Sequence, residues 1–404
     1  LRPNEANTIL FGADGSEIAS SSSDIIIEAD RMTFDTQPTR FNTSGAVNIR
    51  PVGASFEGNM STANVNIEST ATGLTIGKPG SDNTKTTISR DHSINGPINI
   101  FSYDIDIDAK LEAVNDQILL SSGAANNTEG TLELLANANL IADELLIRNF
   151  HRAYIGFNSS ANFVGDVSVN KMASDGGDWL FANNTKALSI ENIAGVDGVS
   201  TSGFTRIYTE SGDLTINAPL SSRLSSGTSV RLYADRDEVA GNAGDGNIKI
   251  TNTGEVNIES DARALLYSGK DSESTGVETL AGTSNIRFGI DVNTDLTTID
   301  SPVESSGIYG LFRIKSISSL SIEAIAEQVY SAETIEPTLE IKDGTMVLVQ
   351  DTDYTLSYQD NINVGTATVT ITGINNYSGT TTLSFNITAK ELTVSGLTGD
   401  DKEY

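Results

Sequence analysis

Three aspartates at alternating positions form the first group in the sequence whose chemistry could bind a ligand. Asp104, Asp106 and Asp108 alternate with isoleucines in the segment DIDIDA. Successive side chains of a β-strand point to opposite faces, so a strand here places the three carboxylates on one face, about 7 Å apart. Calcium takes several oxygen ligands, which makes this row a candidate calcium site. A flat row does not enclose an ion, and a solvated outer face is the alternative.

The only tryptophan marks a second candidate site. It lies in SDGGDWLFANN, whose Gly, Asp and Asn content predicts a loop from Ser174 to Asn184. An exposed aromatic ring beside amide and carboxylate side chains is a common way to hold a sugar. The alternative is an aromatic side chain that packs the loop onto the body of the fold. The candidate ligand-binding residues are Trp179, Asp178, Phe181 and Asn183.

Residues for acid–base or nucleophilic catalysis are sparse. The chain has two histidines, His92 and His151, whereas a catalytic triad or a zinc site requires several converging side chains. Both histidines are therefore expected at the surface. The segment Arg90-Asp91-His92 is the one polar cluster with catalytic potential. The glycine-rich stretch from Gly241 to Asn247 lacks the lysine of a phosphate-binding loop and is interpreted as a turn. The sequence predicts that the protein is not an enzyme.

Composition narrows the classes of partner. The 404 residues include 54 acidic and 25 basic side chains, for a formal net charge of -29. Such a surface repels nucleic acid and anionic lipid, so neither is an expected partner. Cysteine is absent, which excludes disulfides and thiol chemistry. No apolar run is long enough to insert into a membrane. The chain begins at Leu1 without a signal peptide, and we expect a piece of a longer protein.

The elements that carry these residues are short alternating strands. The stretch from Gly212 to Gly269 repeats such segments, separated by Gly, Asn, Asp and Ser. Imperfect recurrence of this kind is typical of stacked β-coils. The fold class predicted is all-β, with a right-handed parallel β-helix over residues 1–303 and a small Ig-like β-sandwich after it; the crossover rule supplies the handedness. Inward side chains are predicted at Val230, Leu232, Ile248, Ile250, Val256 and Ile258.

From residue 316 to residue 389 the strands become longer, at the spacing of an antiparallel sandwich. The strings QVYSAETIEPTLEI and DTDYTLSYQDNINVGTATVTITGINNYSGTTTLSFNI resemble the bacterial Ig-like repeat of the MBG type. Ser331 and Ala332 stand where that family has an open glycine. Residues 390–404 resemble the start of a further repeat, of the related YDG type. The resemblance rests on Tyr330, Ile335, Pro337, Asp353, Tyr354, Tyr358, Asn361, Gly365 to Ala367, Gly373, Asn376 to Gly379 and Phe385.

Coils of the GDLTINAPL kind resemble the β-helix of filamentous haemagglutinin-type exoproteins, which use two-partner secretion. The resemblance implies a segment of a large secreted adhesin on the bacterial cell surface, which mediates attachment, aggregation or binding to biofilm matrix polysaccharide. The implied partners are a cell-surface glycan or matrix exopolysaccharide, and an outer-membrane transporter during secretion. Calcium is the one cofactor that the acidic surface suggests. Two alternatives stay open: a polysaccharide-cleaving β-helix enzyme and a purely structural stalk.

Overall fold

The computed structural model describes residues 8–11, 16–34, 37–80, 84–123, 129–156, 164–242, 244, 246–299, 302–393 and 395–396. The chain divides into two compact units, Leu1–Arg313 and Ile314–Tyr404. Most of the predicted further repeat at 390–404 lies outside the described residues, and those of its residues that are described form no strand. Within the described part, no helix combines the length and the apolar character that crossing a bilayer requires.

Short strands dominate the first unit, because alternating aliphatic and polar residues bury one face of each segment. Its described residues include one α-helix, α1 (Val277–Ala281), and short 3-10 helices at Asp271–Glu273 and Thr283–Asn285. Its strands are β1 (Thr8–Phe11), β2 (Glu17–Ser20), β3 (Ile25–Glu28), β4 (Arg31–Phe34), β5 (Thr39–Thr43), β6 (Ala46–Arg50), β7 (Met60–Ser61), β8 (Val65–Ile67), β9 (Gly73–Ile76), β10 (Lys85–Ile88), β11 (His92–Ile94), β12 (Ile98–Phe101), β13 (Asp104–Ile107), β14 (Lys110–Ala113), β15 (Gln117–Ser121), β16 (Thr131–Leu134), β17 (Asn139–Ile155), β18 (Val167–Asn183), β19 (Leu188–Ile190), β20 (Asn192–Ile193), β21 (Val196–Asp197), β22 (Val199–Thr201), β23 (Thr205–Thr209), β24 (Leu214–Ile216), β25 (Leu220–Ser222), β26 (Gly227–Tyr233), β27 (Ile248–Ile250), β28 (Val256–Asn257), β29 (Ala262–Lys270) and β30 (Ile286–Phe288).

Most of these strands stack in three parallel rows, which is the arrangement of a parallel β-helix; β1 with β4 and β2 with β5 and β8 form separate parallel sheets, and β20 pairs antiparallel with β21. The first row contains β3, β6, β9, β12, β15, the middle of β17 and β18, β22, β25 and β28. The second row contains β10, β13, β16, the ends of β17 and β18, β23, β26 and β29. The third contains β11, β14, the starts of β17 and β18, and then β19, β24 and β27. The predicted β-helix is confirmed; its handedness stays a prediction.

Aliphatic side chains from successive coils stack inside the first unit. Val230, Leu232, Ile248 and Val256 are buried, as predicted. Ile250 and Ile258, which were also predicted to point inward, pack against the same core but are only partly buried. Each lies at the end of its row, Ile250 in β27 and Ile258 just after β28, so no further strand of that row covers it. The interior position of a residue therefore depends on the coil above it as well as on its own strand.

The second unit folds as two small sheets with a shared apolar core. One sheet has the order β32 (Ser321–Ile322), β34 (Ile341–Asp343), β35 (Met346–Val347); the other has the order β33 (Gln328–Val329), β39 (Thr380–Thr388), β37 (Gly365–Gly373), β36 (Tyr354–Gln359). β31 (Gly307–Ser316) leads into this unit, where Lys315 pairs with Tyr377 of β38 (Tyr377–Ser378), and a 3-10 helix follows at Ile317–Ser319. Ile341 of the first sheet packs with Tyr354 and Ile371 of the second. This is sandwich packing.

Candidate functional site

Trp179 lies inside the β-helix, not in a loop. The predicted loop from Ser174 to Asn184 is wrong, because residues up to Asn183 belong to β18. The indole is 1% exposed, with the small residues Ala153 and Thr205 in register on the neighbouring coils. Gly177 suits a strand here because a Cβ at that position would lie 2.0 Å from the His151 carbonyl oxygen. Glycine at this position permits close packing of the two backbones and does not indicate a flexible binding loop.

The other three residues predicted to bind a sugar have structural contacts. Phe181 is fully buried. Asn183 is also buried, and its Nδ2 donates to the carbonyl oxygens of Val169, Lys186 and Ala187. Asp178 is partly buried, and its Oδ1 accepts a hydrogen bond from the Phe204 amide at 3.0 Å. With both rings buried, this set offers no aromatic surface on which a sugar could stack.

The aspartate row lies on the outer face of β13 as predicted, but its carboxylates serve neighbouring coils. Asp104 Oδ1 accepts hydrogen bonds from the amide and the hydroxyl of Thr131 on the next coil. Asp106 forms an ion pair with Lys85 on the preceding coil, and Asp108 is exposed beyond the strand end. Among the described residues, no group of three or more His, Cys, Asp or Glu side chains could hold a metal ion. The calcium hypothesis therefore has no support from this row.

Arg90, Asp91 and His92 do not converge. Arg90 donates to the Ala63 carbonyl oxygen, and Asp91 accepts from the Lys110 amide. His92 begins β11 and points inward; it is 0% exposed, although the sequence predicted a surface position. Neither ring nitrogen has a hydrogen-bond partner. Burial, together with the charge of nearby Arg90, lowers the pKa of His92 to about 4. A neutral, enclosed imidazole of this kind has no access to a substrate.

On the outer faces, several charged side chains are paired between coils. Arg50 contacts Glu28, and Arg148 contacts Asp175. Lys171 lies between the carboxylates of Asp143 and Glu144. Partners such as Arg148 and Asp175 are 27 residues apart in sequence, one coil of the β-helix. Because the partners are one coil apart in sequence, short motifs do not predict these ion pairs.

Two arginines on the second row differ from these pairs. Arg206 of β23 and Arg231 of β26 are in register on adjacent coils. Neither forms an ion pair within the described part of the chain, and each has a buried Nε without a hydrogen-bond partner. Together with Phe204, Thr205, Leu224 and Thr228 they line a cavity of about 190 Å³. We call Arg206 and Arg231 the arginine pair.

A column of tyrosines runs beside the arginine pair. Tyr208 and Tyr233 follow the arginines two residues later on the same strands, and Tyr233 stacks on Tyr267 with ring centroids 4.5 Å apart. Burial raises the pKa of Tyr208 and raises that of Tyr267 to about 12, so both phenols stay neutral. The sequence analysis missed this surface. The sequence feature that indicates this surface is the motif RIY at 206–208, which recurs as RLY at 231–233.

The fold and this surface define a class, a parallel β-helix with unpaired cations on one outer row, followed by a small β-sandwich. No family model, curated protein or solved structure matches the chain.

Proposed function

We propose that this chain is a segment of a large secreted adhesin of the bacterial cell surface, which binds polysaccharide without cleaving it. The ligand is a cell-surface glycan or a matrix exopolysaccharide. An outer-membrane transporter carries the protein during secretion, as the resemblance to filamentous haemagglutinin-type exoproteins implies. The MBG-type repeat is proposed for the second unit.

The observation that carries the proposal is the repetition of outward side chains along each row of the β-helix. Strands of neighbouring coils are about 4.8 Å apart, so each outer face presents side chains at regular intervals along the stack. Arg206 and Arg231 are an example on the second row. A repeating surface of this kind suits a repeating polymer, because several equivalent groups of the ligand can bind at once. A small-molecule enzyme requires instead a concave site with convergent catalytic groups.

A glycan array probed with the full 404-residue chain tests the proposal. We expect retention on one or more polysaccharides, and we expect the same signal with calcium or with a chelator, because the predicted aspartate row is occupied by protein contacts. Retention that requires calcium would indicate instead that a metal site takes part in binding.

The two alternatives give different results in the same assay. Release of new reducing ends or unsaturated sugars from a bound polymer would show that the protein is an enzyme. Binding to no glycan on the array would contradict the adhesin proposal and would favour the structural stalk.

A further inference from the structure

We propose that Arg206 and Arg231 form a binding site for the oxyanion groups of an acidic polysaccharide, either uronate carboxylates or ester sulfates. This inference rests on the proposed function, because it names the class of polysaccharide that the adhesin binds. It assigns the site to the outer face of β23 and β26 rather than to the tryptophan segment or the aspartate row.

The first argument is the contrast with other basic side chains of the β-helix. Arg40, Arg50, Arg148 and Lys249 each have a carboxylate within 4 Å. Acidic residues outnumber basic ones by 54 to 25 in this chain, so carboxylates are plentiful. The arginine pair nevertheless has none among the described residues, and Tyr208 and Tyr267 beside it are neutral.

The second argument concerns the neighbours in register. The outward positions before and after the arginine pair on this row are Leu180 and Leu265. Apolar neighbours remove the possibility of an ion pair within the row, and they leave two like charges on adjacent strands. Like charges directly opposite on neighbouring strands destabilise a sheet. An anion that binds between the two guanidinium groups reduces this repulsion.

The third argument is the shape and chemistry of the cavity. Its volume of about 190 Å³ accommodates a carboxylate or sulfate group with several water molecules. Guanidinium groups bind such oxyanions through paired, charge-assisted hydrogen bonds. Thr228 on the cavity wall accepts hydrogen bonds from Nε and Nη2 of Arg263, which adds a third cation next to the cavity. Phe204 and Leu224 supply apolar surface for the carbon face of a sugar.

Titration calorimetry on the full chain tests the site with three polymers: polygalacturonate, dextran sulfate and neutral dextran. The test variant is Arg206→Gln with Arg231→Gln. The matched control is Arg40→Gln with Arg148→Gln, which removes the same total charge from arginines that are ion-paired to Glu68 and Asp175. The test variant is expected to melt at or above the temperature of the parent, because it relieves a like-charge pair.

We expect the parent and the control to bind at least one acidic polymer, and the test variant to bind it about tenfold or more weakly, with a smaller dependence on salt. Binding of polygalacturonate identifies carboxylate as the ligand group, and binding of dextran sulfate alone identifies sulfate. Equal affinity of parent and test variant, equal losses in both variants, or equal binding of neutral dextran would overturn the inference while leaving the adhesin proposal intact. A parent that binds none of these polymers and no glycan on the array would overturn both.

Discussion

His92 is a polar side chain in the apolar interior of the β-helix. Its imidazole lies inside the β-helix, in register with Leu111 and without a hydrogen-bond partner for either ring nitrogen. A buried polar group without a partner costs about 1–3 kcal/mol. The neighbouring coil offers an aliphatic side chain, so an aliphatic residue would fit the same position with a lower cost.

We expect His92→Leu to raise the free energy of unfolding by about 1–3 kcal/mol at neutral pH. The folded pKa of about 4 lies below the unfolded value near 6.5, so the unfolded chain binds more protons between these two pH values. The parent's stability is therefore complete above pH 6.5 and decreases as the pH falls toward 4, by up to about 3 kcal/mol. Urea unfolding at pH 7 and at pH 5 measures both effects.

The variant should lose the part of this pH dependence that His92 contributes. The control is the same change at His151, which is only partly buried at the surface of β17. A pH profile of His92→Leu that is parallel to that of the parent would contradict the assignment of a buried, neutral imidazole.

Trp179 gives a second prediction at this scale. Trp179→Ala should cost about 3–5 kcal/mol, because the cavity lies between the fixed coils that carry Ala153 and Thr205. Trp179→Phe should cost less, because it also removes the buried Nε1 that has no partner. Neither change should alter the affinity of the folded protein for a polysaccharide. Melting curves and binding isotherms on the same samples check this, and a loss of affinity with unchanged stability would restore the sugar-stacking hypothesis.

At the scale of elements, the connection between β26 and β27 is longer than the matching connection of the preceding coil, between β23 and β24. Hydrogen bonds from β24–β25 to the coil that follows this connection join residues 36 apart, compared with 28 for the preceding coil. Arg313 of β31 forms hydrogen bonds with the residues of this longer connection. Its guanidinium is 3% exposed and donates to the carbonyl oxygens of Ala234, Asp235 and Gly246. Asp235 Oδ2 lies 3.8 Å from Nη2.

We expect Arg313→Met to lower the free energy of unfolding by about 3–5 kcal/mol, because it removes the donor to four backbone carbonyl oxygens, that of Asn242 included, and the cation beside the Asp235 carboxylate. Arg313→Lys should restore little, since one ammonium group cannot reach the positions that the planar guanidinium reaches. Lys270→Met serves as the control, because its ion pair with Glu273 is more exposed to solvent than that of Arg313. Melting curves and limited proteolysis of residues 234–247 measure the effect; a stable, protease-resistant Arg313→Met would contradict it.

At the scale of the whole molecule, each compact unit has its own core. In the second unit, Ile317, Ile341, Leu348, Tyr354, Ile371 and Tyr377 form one cluster, and Ala367, Phe385 and Ile387 form another. Lys315 contributes an ion pair to Asp343 at 2.6 Å, and Tyr377 donates to the same carboxylate. Because these contacts all lie within residues 314–404, the unit contains what an independent fold requires.

We therefore expect a fragment of residues 314–396 to fold by itself and to unfold cooperatively. A fragment that begins at residue 317 should be less stable, because it lacks Lys315 and the pairing of that strand with β38. Dispersed amide signals in NMR spectra and a sigmoidal urea transition are the measurements. An unfolded spectrum for the longer fragment would contradict the independence of the unit.

The alternation of residue types was sufficient to predict the strands and the interior of the β-helix. In segments such as SVRLYAD, the side chains at alternate positions point to opposite faces for local geometric reasons, so Val230 and Leu232 could be assigned inward. Low aromatic content and frequent glycine agreed with thin stacked coils. These features depend only on residues close together in the chain, and the sequence by itself determines them.

Contacts between coils were decided by the tertiary structure. The sequence distance between stacked partners ranges from 18 residues for Ser102 and Thr84 to 36 for Thr253 and Asn217, because the connections differ in length. Without that register, nothing indicated that Ala153 and Thr205 enclose Trp179, that His92 faces the interior, or that Arg206 lies beside Arg231. A residue's own strand determines which way it points, whereas the coils above and below determine what it meets there.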